Sequence, residues 1–351
     1  LIFPARFCTG TCVKNAKQNG DGMRFHRIRL LVASGLYLAL ALPAQADDAP
    51  AGPVQSPVPQ NQASLRFAPA QGEQRVIRLH AVQMGMHVGL KSKSVFRQVV
   101  ALDTAYEVLA PTIEGRVRLR STIRAARYQR EIDGKNVASY DSSKPTKTLD
   151  DNAETMSMLI GLSFVIQVNS DGTMGEVEEK DKIAEQMLDK MKVSAESRQY
   201  VRPAIVATLD GTAFKNLGNT FASYPAQLVA LGASWPKRDV VSSDSNLIYD
   251  GTLTLAKREG LLSTLHVKSS MKPDPARPKG ATVQPLTGTQ TGYYLVEELT
   301  GWTRRAHLEQ RWSFWVDEMG QFVTPKTKRA RPVYMKMTFD VGTLETKAAT
   351  P

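Results

Sequence analysis

Alternation of apolar and polar residues at a period of two runs through most of this chain, and it commits the fold to β-structure. In Val82-Gln83-Met84-Gly85-Met86-His87-Val88-Gly89-Leu90 every second residue is apolar, which places Val82, Met84, Met86, Val88 and Leu90 on one strand face. Upstream, Ile77, Leu79 and Ala81 hold the opposite phase, which predicts a bulge near Ala81-Val82. Val117, Leu119, Ile123 and Ala125 alternate likewise and lead through Asp133-Gly134, a hairpin-turn sequence, into Val137. Met158, Ile160, Leu162, Phe164, Ile166 and Val168 form another face that turns at Asp171-Gly172. Further runs follow at Leu247 to Lys257, Leu261 to Ser269, Tyr293 to Leu299, Trp302 to Val316 and Tyr334 to Val341. Runs of this length, joined by hairpin-sized gaps, predict a large and strongly curved antiparallel sheet.

One region breaks the period. Between Glu178 and Leu209 the residues Ile183, Met187 and Met191 recur at i, i+4 spacing with Ala184 and Leu188 alongside, while Glu185, Asp189 and Lys190 fall elsewhere on the wheel. Ser194 is placed to cap a second segment carrying Tyr200, Val201, Ile205 and Leu209, and Pro203 should kink or interrupt it. The expected class is therefore α+β, a large curved antiparallel sheet packed against a central helical segment at 178–209. Residues 74–345 are expected to make one domain, with 346–351 a disordered tail.

Ahead of that body lies an export signal. The basic Met23-Arg24-Phe25-His26-Arg27-Ile28-Arg29 precedes an apolar run from Leu30 to Leu42 and then Ala44-Gln45-Ala46. A charged n-region, an apolar run too short for a permanent span and small residues before the cut describe a signal peptide at 23–46, with the mature chain starting at Asp47. Residues 1–22 lack hydrophobic periodicity and read as an upstream stretch before the true start. Residues 47–73, rich in Pro, Ala and Gln, read as a disordered linker. Localisation is expected to be periplasmic or secreted, with no transmembrane span after signal removal.

The two cysteines, Cys8 and Cys12, both precede the signal, so the mature chain is expected to have no disulfide, no thiolate zinc site and no lipidated cysteine. Residues 1–46 hold six Lys/Arg and one Asp, which leaves +6 of the formal +11 charge to the remainder. That balance suits anionic envelope material and is far from the density of a nucleic-acid binder.

No residue pattern announces catalysis. His80, His87, His266 and His307 have no tight metal spacing, G-x-S-x-G is absent, and Ser269-Ser270-Met271-Lys272 does not open a helix. Gln167, Asn169, Asp171, Gly172 and Glu178 sit at calcium-loop spacings, but Gln holds the first position and a strand enters, so a plain hairpin is expected. No metal site, cofactor or catalytic residue is assigned.

The candidate binding residues are Arg116, Arg118, Arg120 and Arg124, which a period of two sends to one strand face opposite Val117, Leu119 and Ile123. Guanidinium groups about 7 Å apart repel unless something negative lies beside them. That something is either carboxylates of neighbouring strands or an anionic envelope lipid or glycan. Lys326, Lys328, Arg329 and Arg331 form a second basic cluster in a loop.

Two segments carry a resemblance. Phe164-Val165-Ile166-Gln167-Val168-Asn169-Ser170-Asp171-Gly172, and Phe221 to Trp235 with Pro225, Val229, Gly232 and Trp235 spaced P-x-x-x-V-x-x-G-x-x-W, resemble an uncharacterised family of bacterial exported proteins, a domain of unknown function. Tyr293 to Gly301 is similar more loosely. The resemblance implies fold and export, and brings no activity. The function expected is that of a non-catalytic envelope protein that binds or scaffolds an anionic component. The alternatives are a carrier of an apolar, lipid-like ligand in a curved-sheet cavity, and a hydrolase whose site is dispersed in sequence.

Overall fold

Hairpins place most strands of this chain beside their sequence neighbours, and one long return brings its last strand beside its first long one. The computed structural model describes residues 61–88, 93–144, 151–210, 221–242, 246–277, 283–317, 322–327 and 329–344. In chain order the elements are β1 Gln62–Ala63, β2 Gln74–Val88, β3 Lys93–Leu109, β4 Val117–Ile132 and β5 Lys135–Asp141. Then come α1 Asp151–Leu159, β6 Ser163–Val168, β7 Met174–Val177, α2 Lys180–Lys190 and α3 Ala195–Asp210. The second half holds β8 Val229–Ala230, β9 Ser234–Ser242, β10 Leu247–Glu259, β11 Leu262–Pro273, β12 Leu286–Glu297, β13 Thr303–Val316, β14 Phe322–Val323 and β15 Arg331–Leu344.

Thirteen strands form one antiparallel sheet, in the order β7-β6-β4-β3-β2-β15-β13-β12-β11-β10-β9, with β5 paired to β4 and β14 to β13. Strand β15 is thus the seam between the two halves of the chain. The sheet curls: Trp312 on β13 donates its indole N–H to the Tyr249 hydroxyl on β10, although β11 and β12 lie between them.

The alternation read from the sequence decides which side chains fill the concave face. Leu253 and Leu255, Leu265 and Val267, Tyr294 and Val296, Ala306 and Leu308, and Met337, Phe339 and Val341 are all buried at successive odd or even positions of their strands. Each large apolar side chain withdrawn from water contributes about 1.5–3 kcal/mol. The remaining face carries threonines and ion pairs.

The helices sit toward one end of the sheet. Helices α2 and α3 pack on each other and α3 touches β7, while α1 lies on β4 and β5. Ile183, Ala184, Leu188, Val201 and Ile205 join the main core cluster, and α3 runs through Pro203. The protein is mostly antiparallel sheet with few helices, and the helical segment covers one end of it.

Several expectations need correction. Strand β2 pairs without a register break from Val76 to Met86, so there is no bulge at Ala81-Val82. Ile77, Ala81 and Gln83 point inward throughout, and Met84 is 44% exposed. The phase misleads because Gly85 faces inward beneath the Phe96 ring, where an added Cβ would come within 2.6 Å of ring carbons. Apolar side chains therefore sit on the outer face there. Met158, read as the start of a strand, lies in α1, and strand pairing begins only at Ser163. The segment 61–73, expected in the disordered linker, is instead built into the core: β1 pairs with β8, and Ala63, Leu65 and Phe67 are buried. Three apolar side chains spaced by two, inside a Pro- and Gln-rich stretch, were too few to register as a strand. The expectations on residues 1–46, 47–60 and 346–351, and with them both cysteines, fall outside the described residues.

That N-terminal segment closes one end of the curled sheet. Phe67 packs against Phe221 and Trp302 with ring centroids 4.8 and 5.1 Å apart, and Tyr106 joins at 5.8 Å from Phe221. Gly301 makes the fit possible: its φ is +74°, and a Cβ there would lie 2.3 Å from the Arg66 carbonyl oxygen. No helix among the described residues is long and apolar enough to cross a membrane.

Candidate functional site

The arginine row runs from just ahead of β4 along its outer face, and two of its four members find counter-charges within the chain. Arg118 donates from Nε and Nη2 to the two oxygens of Glu178, just past β7, at 2.7 and 2.6 Å. Arg120 pairs with Glu107 of β3 at 2.6 Å, and Arg116 donates to the Gln167 side-chain oxygen at 3.3 Å. Arg124 is exposed beside the register shift between β3 and β4, with no ion pair among the described residues. Glu178 thus serves Arg118, and the Asn169 to Thr173 stretch closes a hairpin: Thr173 N–H donates to Asp171 at 2.8 Å and Asn169 N–H to the Thr173 carbonyl at 2.8 Å. Ser269 and Lys272 lie on β11 with Ser269 buried and Lys272 paired to Asp250, so they do not converge.

A different constellation forms on the outer face at the seam strand. Across β12, β13, β15 and β2, Tyr293, His307, Asp340 and His80 stand in register; in the next row but one, Arg305, Gly342 and Arg78 do the same. His307 Nδ1 lies 2.7 Å from one Asp340 oxygen, and His80 Nδ1 lies 3.9 Å from the other. The Tyr293 ring is 6.3 Å from the His307 ring. Together they line an open cleft of about 370 Å³.

Glycine makes the floor of that cleft. A Cβ at Gly342 would meet nothing within 4 Å, so any side chain there would fill the space between the two arginines. Those arginines differ. Arg78 is held bidentately by Asp103 at 2.6 and 2.7 Å, and this bonding raises its pKa further against a smaller cost of burial. Arg305 is exposed and has no ion pair among the described residues. The cleft therefore offers one uncompensated guanidinium, a carboxylate shared by two imidazoles, and an aromatic wall.

Sequence reasoning found the histidines and missed their meeting. His80 and His307 are separated by most of the chain, and the strand that joins them, β15, reads from the sequence only as an apolar face. The signal available was Asp340 and Gly342 at alternate polar-face positions of that strand, which becomes informative only once the sheet order is known.

Residues 114–303, more than half of the chain, match the profile of a family of unknown function (DUF6263). No curated protein matches. Among solved structures, a lipovitellin chain ("lipid-protein interactions in lipovitellin") is 11% identical, with a TM-score of 0.44 over 80% of this chain and 26% of that one. DynF, from the dynemicin biosynthesis pathway of Micromonospora chersina, is 6% identical with a TM-score of 0.20 over 86% of this chain and 96% of that one. OpdQ of Pseudomonas aeruginosa is 7% identical with a TM-score of 0.19 over 78% and 99%. Likeness at this level carries no argument about function.

Proposed function

The chain belongs to the DUF6263 family of unknown function, and on that footing we propose that it is a non-catalytic, exported envelope protein that binds an anionic component in the cleft at the β15 seam. The observation that carries this reading is Arg305, a guanidinium without a carboxylate partner among the described residues, beside a floor that Gly342 leaves open. A planar, permanently charged donor fork suits phosphate or carboxylate. Arg118 and Arg120 are already matched by Glu178 and Glu107 and offer less to a ligand.

The charges facing the cleft are Arg78 with Asp103, Arg305, and Asp340 between His80 and His307. Asp340 opposes an incoming anion and Arg305 attracts it.

The alternatives have less support. An Asp–His pair is the orienting half of a hydrolytic triad, but the Thr343 hydroxyl in the cleft wall already donates to the Thr303 carbonyl at 3.2 Å. A lipid carrier needs interior space, and the concave face is occupied by the chain's own side chains, Leu253, Leu255, Leu265 and Tyr294 among them. The test is calorimetric titration of the protein with glycerol 1-phosphate. Saturable binding that Arg305→Gln abolishes and Arg118→Gln spares supports the reading; binding indifferent to Arg305 overturns it.

A further inference from the structure

Among the described residues, the end of the sheet opposite the Phe67 plug is covered less completely than the plugged end. There, Phe96, Leu286 and Phe322 are only partly buried around Phe314, Val316, Val333 and Met335. At the plugged end, by contrast, Phe67, Phe221 and Trp302 are between 0% and 5% exposed. On the adjoining outer face Tyr334, Met86 and Val95 stand in register across β15, β2 and β3. Tyr334 is 55% exposed, Val95 48% and Met84, two residues behind Met86, 44%. The patch is about 20 Å from Asp340 along β15 and shares no residue with the cleft.

The charges around this patch are mainly basic. Lys336 and Arg97 flank Met84 in register, tied to Glu309 at 2.5 Å and Glu131 at 3.4 Å. Lys326, Lys135 and Arg331 have no ion pair among the described residues, and Arg329 is exposed in the same loop as Lys326. Two acidic groups lie among them: Asp133, exposed in the β4–β5 turn, accepts the Val95 backbone N–H at 2.8 Å, and half-buried Asp317 follows β13.

We propose that this end of the sheet docks on an anionic lipid bilayer, Tyr334, Met84 and Val95 entering the interface while the surrounding lysines and arginines meet headgroups. Amphipathic tyrosine suits the depth of the headgroups, and basic residues are drawn to an anionic leaflet. A second copy of the chain is a poorer occupant. A two-fold contact through this patch would bring the same basic rim against itself.

The test is co-sedimentation of the mature protein with vesicles of equal parts phosphatidylglycerol and phosphatidylcholine, and with phosphatidylcholine alone. The expected result is binding to the anionic vesicles only, weakening steeply between low and physiological salt. Met84→Ser with Tyr334→Ser should weaken it about tenfold or more. Lys326→Gln with Arg331→Gln should act similarly, while Lys257→Gln, an exposed lysine of β10 outside both the patch and the cleft, leaves it unchanged. All these side chains are surface groups, so each variant should melt with the wild type. Absence of vesicle binding, equal binding to neutral vesicles, or wild-type binding by the Met84/Tyr334 variant would overturn the proposal. A lipid-free dimer in sedimentation velocity that Tyr334→Ser dissolves would assign the patch to a second copy and overturn it equally.

Discussion

Arg118 and Glu178 face each other as a fork on a fork, two parallel hydrogen bonds of 2.7 and 2.6 Å joining β4 to the residue that follows β7. The Arg118 bonds hold the Glu178 carboxyl below the usual carboxylate range, against the opposing effect of its partial burial, with Gln167 helping. A carboxyl whose pKa is depressed on folding stabilises the folded state above its unfolded value, and that stabilisation is lost as pH falls through the folded value. Asp250 beside Lys272 and Arg238, and Glu309 beside Lys336 and Arg311, are depressed in the same way. Asp239, pushed up by burial beside Lys237, acts in the opposite sense. Denaturation measured from neutral pH down through the carboxylate range should show stability falling, with Arg118→Gln flattening part of that fall. At neutral pH the same variant should cost about 1 kcal/mol or less. An unchanged acid limb in Arg118→Gln would show that the pair does not couple folding to protonation.

Phe67 belongs to the core although its sequence neighbourhood reads as linker. It is 1% exposed among Phe221, Trp302 and Tyr106, so Phe67→Ala should cost about 3–5 kcal/mol in urea denaturation. A loss under about 1 kcal/mol would mean that the plug does not seat in solution.

Leu188 is fully buried on α2, whereas Tyr200 on α3 is 65% exposed. Leu188→Asp should therefore destabilise by about 3 kcal/mol or more, and Tyr200→Asp by less than about 0.5 kcal/mol. Equal effects in thermal melts would contradict the placement of the helical pair against the sheet.

Gln310 is a different kind of buried residue. Both atoms of its amide are inaccessible and unpartnered, in register with Gln290 on one side and with Met337 and then Gln83 on the other. Removing an unsatisfied amide while keeping its volume should be neutral or stabilising, so Gln310→Met should unfold at the same or higher urea concentration. A loss above about 1 kcal/mol would show that the amide is hydrogen-bonded in solution.

The strands were legible because half-buried sheets imprint a period of two, and α2 because Ile183, Met187 and Met191 repeat at helical spacing. What alternation cannot supply is which face is inside, since Gly85 and Gln83 occupy the core side of β2 while Met84 and Met86 face out. Nor can it supply strand order. The arginines were visible as a row along one strand, whereas His80, Asp340 and His307 converge only through β15 lying between β2 and β13, a long-range pairing with no local signature. The same holds for Glu178 and Glu107, the partners of Arg118 and Arg120, which come from two different flanking segments.

The cleft, rather than the arginine row, is the proposed anion site, and side-chain nitrogen NMR separates the two directly. In a titration with glycerol 1-phosphate, the Arg305 guanidinium and the His307 and His80 imidazole signals should shift together and saturate, while Arg118 and Arg120 stay still. Shifts confined to the arginines of β4, or drifting without saturation at every arginine, would contradict it.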